Sequence, residues 1–152
     1  MKNDIGFVIL NLEENTLHHS ILYTIRQIID SNPYKNICIF NHECSKIDIM
    51  NIPLLHLKQA KFFNGDLFVF DTISLMLAEQ FPNINNTYYY AATIPWQNKT
   101  YEYTGWRRMF LQDRLNIICQ NQKIYDIYNI CWREPIGIAE NFTYEQIHKL
   151  IQ

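Results

Sequence analysis

Charged residues make up only 18% of this chain of 152 residues, and no stretch gathers charges of one sign. The formal net charge is −2. Such a balance lacks the basic surface with which proteins bind nucleic acids or anionic membranes, so we expect neither partner. Disorder is excluded as well, because 48% of the residues are hydrophobic and a chain of this length can bury a core.

The chain also lacks a long hydrophobic run. Residues 5–12 form an apolar stretch that is too short for the apolar region of a signal peptide or for a membrane span. We therefore expect a cytoplasmic protein. The four cysteines, Cys38, Cys44, Cys119 and Cys131, include no CxxC pair, which predicts free thiols in a reducing compartment.

Familiar chemical motifs are absent too. No GxGxxG follows the first predicted strand, and the chain has no P-loop and no GxSxG, so we expect no cofactor. His18 and His19 are adjacent, so on a helix they point in different directions and cannot chelate a metal together. The segment from His42 to Cys44 offers one or two metal ligands or is simply a loop, and we expect no bound zinc.

Seven short apolar or aromatic runs predict strands, and helical spacing follows most of them. The first run is apolar throughout, as in an interior strand that is covered on both faces. Strands alternating with helices predict a single Rossmann-like α/β domain over residues 1–152. We expect a mostly parallel sheet of about six or seven strands, with the first strand central and helices on both faces. The predicted strands are 5–10, 36–40, 54–57, 67–70, 88–92, 115–119 and 135–139.

Helix start signals accompany this pattern. Asp71 or Thr72 is placed to cap a helix over 73–81. The last helix has the strongest signal, a capping box of Thr143 and Gln146 with Phe142 stapled onto Ile147. Further helices are predicted over 17–28, near 107–111 and around 124–131.

Polar side chains follow the ends of the predicted strands. Ligands of open α/β sheets bind at the carboxyl ends of the strands. Because this rim is rich in hydrogen-bonding side chains, it would suit a polyhydroxylated ligand such as a sugar or glycan. Asn11, Asp71 and Asn121 should then converge on one crevice, with Glu13, Glu43 or Asp71 as candidates for a general base. The alternative is that these residues only cap helices and solvate loops. The candidate ligand-binding residues are Asn11, His42, Thr93, Trp96, Asn121 and Glu140.

A connector rich in tryptophan and tyrosine spans residues 93–110. Trp96, Tyr101, Tyr103 and Trp106 predict either a surface for a sugar, a second copy or a partner chain, or rings that fold onto the core. Arg107 and Arg108 follow this cluster, where they would meet a phosphate or remain solvated.

Two parts of the chain carry a family resemblance. Residues 114–121, a helix ending at 130–132 and residues 135–142 form a strand, a polar helix start, a helix and a further strand. Residues 65–71 read Gly-Asp-Leu-Phe-Val-Phe-Asp. This order resembles the N-terminal half of GT-B glycosyltransferases, of the small glycosyltransferase-like kind seen in T4-like phages. Asn and Ile are abundant and Lys outnumbers Arg. These residues have AT-rich codons, which fits an AT-rich genome such as that of a phage.

The resemblance implies an acceptor-binding half. Its glycine-rich turn after the first strand is replaced here by residues 11–15, and the half that binds the nucleotide sugar has no counterpart in this sequence. One implied function is a glycosyltransferase-like protein that acts with a partner chain supplying the donor half, or in a reduced form on a glycan acceptor. The chain alone should not hydrolyse or transfer from common UDP- or GDP-sugars at enzymatic rates. The alternatives are a non-catalytic binding or structural protein, such as a phage virion or host-interaction factor, and an unrelated Rossmann-like binding domain.

Overall fold

The computed structural model describes residues 4–10, 16–31, 36–42, 52–97 and 103–151. They form one sheet of seven strands, all parallel, in the order β3-β2-β1-β4-β5-β6-β7. The predicted Rossmann-like α/β architecture is therefore confirmed. The strands are β1 (Ile5–Val8), β2 (Ile37–Asn41), β3 (Leu54–His56), β4 (Gly65–Val69), β5 (Ile84–Ala91), β6 (Leu115–Cys119) and β7 (Gly137–Ile138).

The first strand lies inside the sheet, as its unbroken apolar run predicts. β1 pairs with β2 on one side and with β4 on the other, and all four of its residues are buried. The middle position of the seven belongs to β4, whose five residues are also buried. Both strands need apolar residues on both faces, because helices cover the sheet on each side.

Helices divide between the two faces of the sheet. On one face α1 (Thr16–Ser31) and α5 (Tyr144–Leu150) contact each other, and we call this the α1/α5 face. The other, the α2–α4 face, is covered by α2 (Thr72–Ala78), α3 (Tyr103–Phe110) and α4 (Gln122–Cys131), with a 3-10 helix at Leu57–Phe62. Side chains of successive strand residues alternate between the two cores, so that Phe7 lies in one and Val8 in the other. Within the described residues, no helix combines the length and the apolar character that crossing a membrane requires.

The last helix corrects one prediction. Thr143 occupies the N-cap position of α5, but its side chain makes no capping hydrogen bond, and the Gln146 side-chain oxygen is buried with no hydrogen-bond partner among the described residues. The predicted capping box is therefore wrong. Phe142 and Ile147 are both buried in the core of the α1/α5 face, as the predicted staple requires. Tertiary contacts of Phe142, and not a local side-chain bond, fix this helix start.

Phe142 has a backbone conformation that is rare for a bulky residue. Its φ is 46°, in the left-handed region. The Thr24 hydroxyl on α1 donates a hydrogen bond to the Phe142 carbonyl, and the Phe142 ring meets the rings of Phe68, Phe70 and Tyr90 edge-on. These buried contacts hold the residue in its strained conformation.

Candidate functional site

The order in which the chain adds strands to the sheet reverses between β1 and β4. From β1 the connections run outward to β2 and β3, and from β4 they run the other way to β5, β6 and β7. The two connections that leave β1 and β4 therefore diverge, and ligands of open parallel sheets bind above the carboxyl ends of strands at such a point. Leu10 and Phe70, both half-buried, follow the two strands at this point.

A buried asparagine fixes the exit of β1. Asn41, at the end of β2, is 1% exposed, and its side-chain amide donates a 2.8 Å hydrogen bond to the Ile9 carbonyl. The His42 backbone amide donates to the Leu10 carbonyl at 3.4 Å. These two bonds tie the end of β2 to the residues that follow β1.

Two histidines stand side by side at the ends of β2 and β3. The rings of His42 and His56 have centroids 6.1 Å apart, and His42 is exposed. The Nδ1 atom of His56 accepts a 3.1 Å hydrogen bond from the Lys58 amide, so the proton of its neutral ring is on Nε2. Sequence reasoning missed His56, although parallel pairing of the second and third strands would have placed it beside Asn41 and His42.

Asp71 and Asn121 are helix caps. The Asp71 carboxylate accepts hydrogen bonds from the Ser74 amide at 2.8 Å and from the Ser74 hydroxyl at 2.7 Å. The Asn121 side-chain oxygen accepts from the Ile124 amide at 3.0 Å. They follow β4 and β6, two strand spacings or roughly 10 Å apart in the sheet. Capping, the alternative interpretation, is thus what the structure shows for both.

Trp96 turns toward the core of the α2–α4 face. Its half-buried ring lies 4.8 Å from Tyr128 and 5.5 Å from Phe110 between centroids, and Trp106 is buried beside them. Among the predicted aromatic cluster, these two rings therefore fold onto the core. Tyr103 is exposed and stacks on Trp132.

Thr93 remains exposed at the end of β5, next to a pair of buried tyrosines. The Tyr128 hydroxyl donates to the Thr93 carbonyl at 3.4 Å and lies 3.5 Å from the Tyr89 hydroxyl. Burial raises the pKa of Tyr89 to about 12, and burial also raises the pKa of Tyr128. Both hydroxyls are therefore protonated donors at neutral pH.

Glu140 lies on a turn that a buried tyrosine holds by a hydrogen bond. The buried Tyr90 hydroxyl donates to the Ala139 carbonyl at 2.8 Å and contacts the Glu140 carbonyl at 3.3 Å. Glu140 and Asn141 are exposed, whereas Phe142 is buried behind them. The turn thus offers a carboxylate and an amide to solvent at the same edge of the sheet as His42 and Thr93.

Several predicted site residues lie outside the described residues. These are Asn11, Glu13, Glu43, Cys44 and Tyr101. The convergence of Asn11 with Asp71 and Asn121 therefore stays a prediction as far as Asn11 is concerned.

The arrangement can hydrogen-bond a polar ligand through exposed imidazole, hydroxyl, amide and carboxylate groups. It does not assemble a metal centre within the part of the chain that the structure describes, since no three His, Cys, Asp or Glu side chains are grouped there. Arg108, one of the two arginines considered for a phosphate, pairs with Glu79 at 2.8 Å on the α2–α4 face.

Comparisons of the chain with protein-family models, with curated proteins and with solved structures find no match.

Proposed function

We propose that this chain is a glycosyltransferase-like domain that binds a sugar or glycan acceptor in the crevice between the carboxyl ends of β1 and β4. The reversal of strand order at β1 and β4 carries the proposal, because in open parallel sheets ligands bind at that point. The anchoring of the β1 exit by Asn41 supports it, since a fixed loop entry favours a preorganised site.

The chemistry available at this edge suits a neutral, hydroxyl-rich ligand. His42 and Thr93 are exposed at the ends of β2 and β5, the strands that flank β1 and β4, and can donate or accept hydrogen bonds. The Phe70 ring, half-buried at the end of β4, adds an apolar surface of the kind that sugar rings pack against. Transfer itself would require a second chain that binds the nucleotide sugar.

The proposal is tested by titrating the 15N-labelled chain with maltotriose, chitotriose and, separately, UDP-glucose while following backbone amide shifts. We expect saturable shifts with one of the oligosaccharides, concentrated at residues 9–10, 41–42, 70–72 and 92–93. We expect His42→Ala to weaken binding of that oligosaccharide about tenfold, because a good polar contact is lost. His19→Ala is the matched control, because His19 is exposed on α1. Shifts confined to the outer surface of α2 and α3, or none that saturate, would contradict the site.

A non-catalytic binding protein is the second candidate. It is favoured by Asp71, whose two carboxylate oxygens are both engaged by Ser74. An assay of UDP or GDP release from UDP-glucose and GDP-mannose by the chain alone tests both candidates together. Both predict no turnover without a partner chain, so robust release by the isolated chain would contradict both.

A further inference from the structure

A groove separates α2 from α3 on the outside of the α2–α4 face. Its volume is about 230 Å³, below the roughly 300–1,000 Å³ of pockets that enclose whole small molecules. The groove is therefore sized for a side chain of a partner. Its lining is mainly apolar and also contains one ion pair and one amide. The lining residues are Met76, Gly105, Trp106 and Met109, with Glu79, Gln80 and Arg108.

The surface beside the groove is apolar and basic. Met76 and Leu111 are exposed large hydrophobic residues, and Arg107 is exposed next to Leu111. The Arg108 side chain is 75% exposed and pairs with Glu79. The Glu79 carboxylate thus pairs with Arg108, and the exposed Arg107 beside them adds a positive charge near the apolar opening. A fitting partner brings an apolar side chain flanked by carboxylates.

The same chain presents such a group on α4. Ile130 is 82% exposed, more than any other large hydrophobic residue that the structure describes. Asp126 is exposed one turn earlier on the same side of the helix, and Glu134 is exposed just beyond the helix end. Neither carboxylate forms an ion pair within the described ranges of the chain. Ile130 and its two carboxylates complement the groove in both polarity and charge.

The order of the helices allows both contacts to form at once. α2, α3 and α4 follow β4, β5 and β6 in turn, so the groove and Ile130 lie on one face with α3 between the groove and α4. Two copies can pack with their α2–α4 faces together about a two-fold axis that runs parallel to the helices. Each copy can then insert Ile130 into the groove of the other. Such an isologous contact closes on itself and uses every complementary group twice.

We propose that the chain forms a two-fold homodimer in which Ile130 of each copy enters the α2–α3 groove of the other, with Asp126 and Glu134 facing Arg107 and Arg108. This interface includes α3, within the 93–110 segment that the sequence predicted for association. It uses the outer surface of the helix, because Trp96 and Trp106 face the core. The dimer is independent of the carboxyl-edge site and of its ligand.

Sedimentation velocity over a concentration series tests the dimer. We expect Ile130→Asp to weaken dimerisation at least about tenfold, because a charge would then be driven into an apolar groove. Tyr23→Asp, a change of an exposed ring on α1, is the control and should leave dimerisation unchanged. A wild type that is monomeric at about 1 mM would overturn the proposal, as would dimerisation that Ile130→Asp leaves intact. Mass that grows with concentration beyond a dimer would overturn the two-fold arrangement.

Charge reversal identifies the faces involved. One variant carries Arg107→Glu and Arg108→Glu, and the other carries Asp126→Arg and Glu134→Arg. Alone, each variant should be monomeric, since like charges meet at both contacts. Mixed, they should form a heterodimer, since each groove then faces a region of opposite charge. All four positions are exposed, so folding is retained, and circular dichroism checks this. Failure of the mixture to associate, with both variants folded, would overturn the assignment of these charges.

Discussion

The two faces of the sheet are covered in opposite ways. On the α1/α5 face most of the buried rings belong to the strands, where Phe7, Phe68 and Tyr88 stack with centroids 5.3 and 4.8 Å apart. The helix above them, α1, has 16 residues and contributes the buried isoleucines 21, 25 and 28. On the α2–α4 face the strands are mostly aliphatic, and the helices and connectors supply the rings.

This difference follows from helix length. On the α1/α5 face the long helix α1 buries an aliphatic stripe and α5 packs beside it, whereas α2, α3 and α4 have only 7, 8 and 10 residues. Helices that short have little stability of their own and depend on tertiary packing. Large rings at their junctions supply that packing, and the spaces between short helices leave the α2–α3 groove. The α2–α4 face therefore carries a groove that is available for contacts with a partner.

The largest expected effect concerns Phe110, which is fully buried at the junction of three elements. Its ring lies within 6 Å, between centroids, of the rings of Trp96, Trp106 and Tyr128. Phe110→Ala should lower the free energy of unfolding by about 3–5 kcal/mol, measured by urea denaturation. Tyr103→Ala, at the exposed border of the same cluster, is the control and should cost less than about 1 kcal/mol. Equal losses would mean that these rings do not hold the short helices.

A smaller effect is expected from Arg114, which joins α2 to the sheet. Its guanidinium donates to the carbonyls of Ala78 and Glu79 at 3.1 and 3.0 Å and to that of Ile84 at 3.2 Å. Arg114→Met keeps most of the apolar part of the side chain but leaves these carbonyls without a hydrogen-bond donor. It should therefore lower the free energy of unfolding by about 1–3 kcal/mol. Arg108→Met removes only an exposed ion pair and should cost about 0–1 kcal/mol in the same urea titration. The reverse order of the two losses would contradict this account of how α2 is held.

The smallest expected effects on the free energy of unfolding come from the helix caps, which differ between the two faces. Asp71→Ala and Asn121→Ala remove capping bonds of α2 and α4 and should each cost about 1 kcal/mol. Thr143→Ala on α5 removes no capping bond and should change the unfolding free energy by less than about 0.5 kcal/mol. Asp71→Ser, which restores an acceptor, should recover most of the loss. If Asp71→Ala left stability unchanged, Asp71 would be free for a role at the carboxyl edge.

Local signals predicted the elements well and the boundaries less well. The predicted strand over 88–92 begins at Ile84 in the structure, and the run predicted over 135–139 pairs with β6 only at Gly137–Ile138. The helix predicted near 107–111 spans Tyr103–Phe110. Pairing with a neighbour decides where a strand begins and ends, and a single sequence does not contain the neighbour.

The candidate site was predictable in position but not in detail. Strand ends followed by polar residues pointed to the carboxyl edge, and Asp71 capping was expected from its place before a helix. The neighbouring rings of His42 and His56 depend on the order of β2 and β3 in the sheet. The hydrogen bond of Tyr90 with Ala139 joins residues 49 positions apart, and no local pattern indicates it.

By itself the sequence determined the alternation of strands and helices, the parallel sheet and the interior place of the first strand, because hydrophobic periodicity and turn residues act over a few positions. Tertiary structure alone decided that Trp96 and Trp106 turn inward, that α5 begins without a capping box, and that Ile130 stays exposed on the face that carries the α2–α3 groove. Each of these outcomes depends on which side chains meet across the sheet. Such meetings are set by packing between distant segments, where burial of a ring outweighs a single local hydrogen bond.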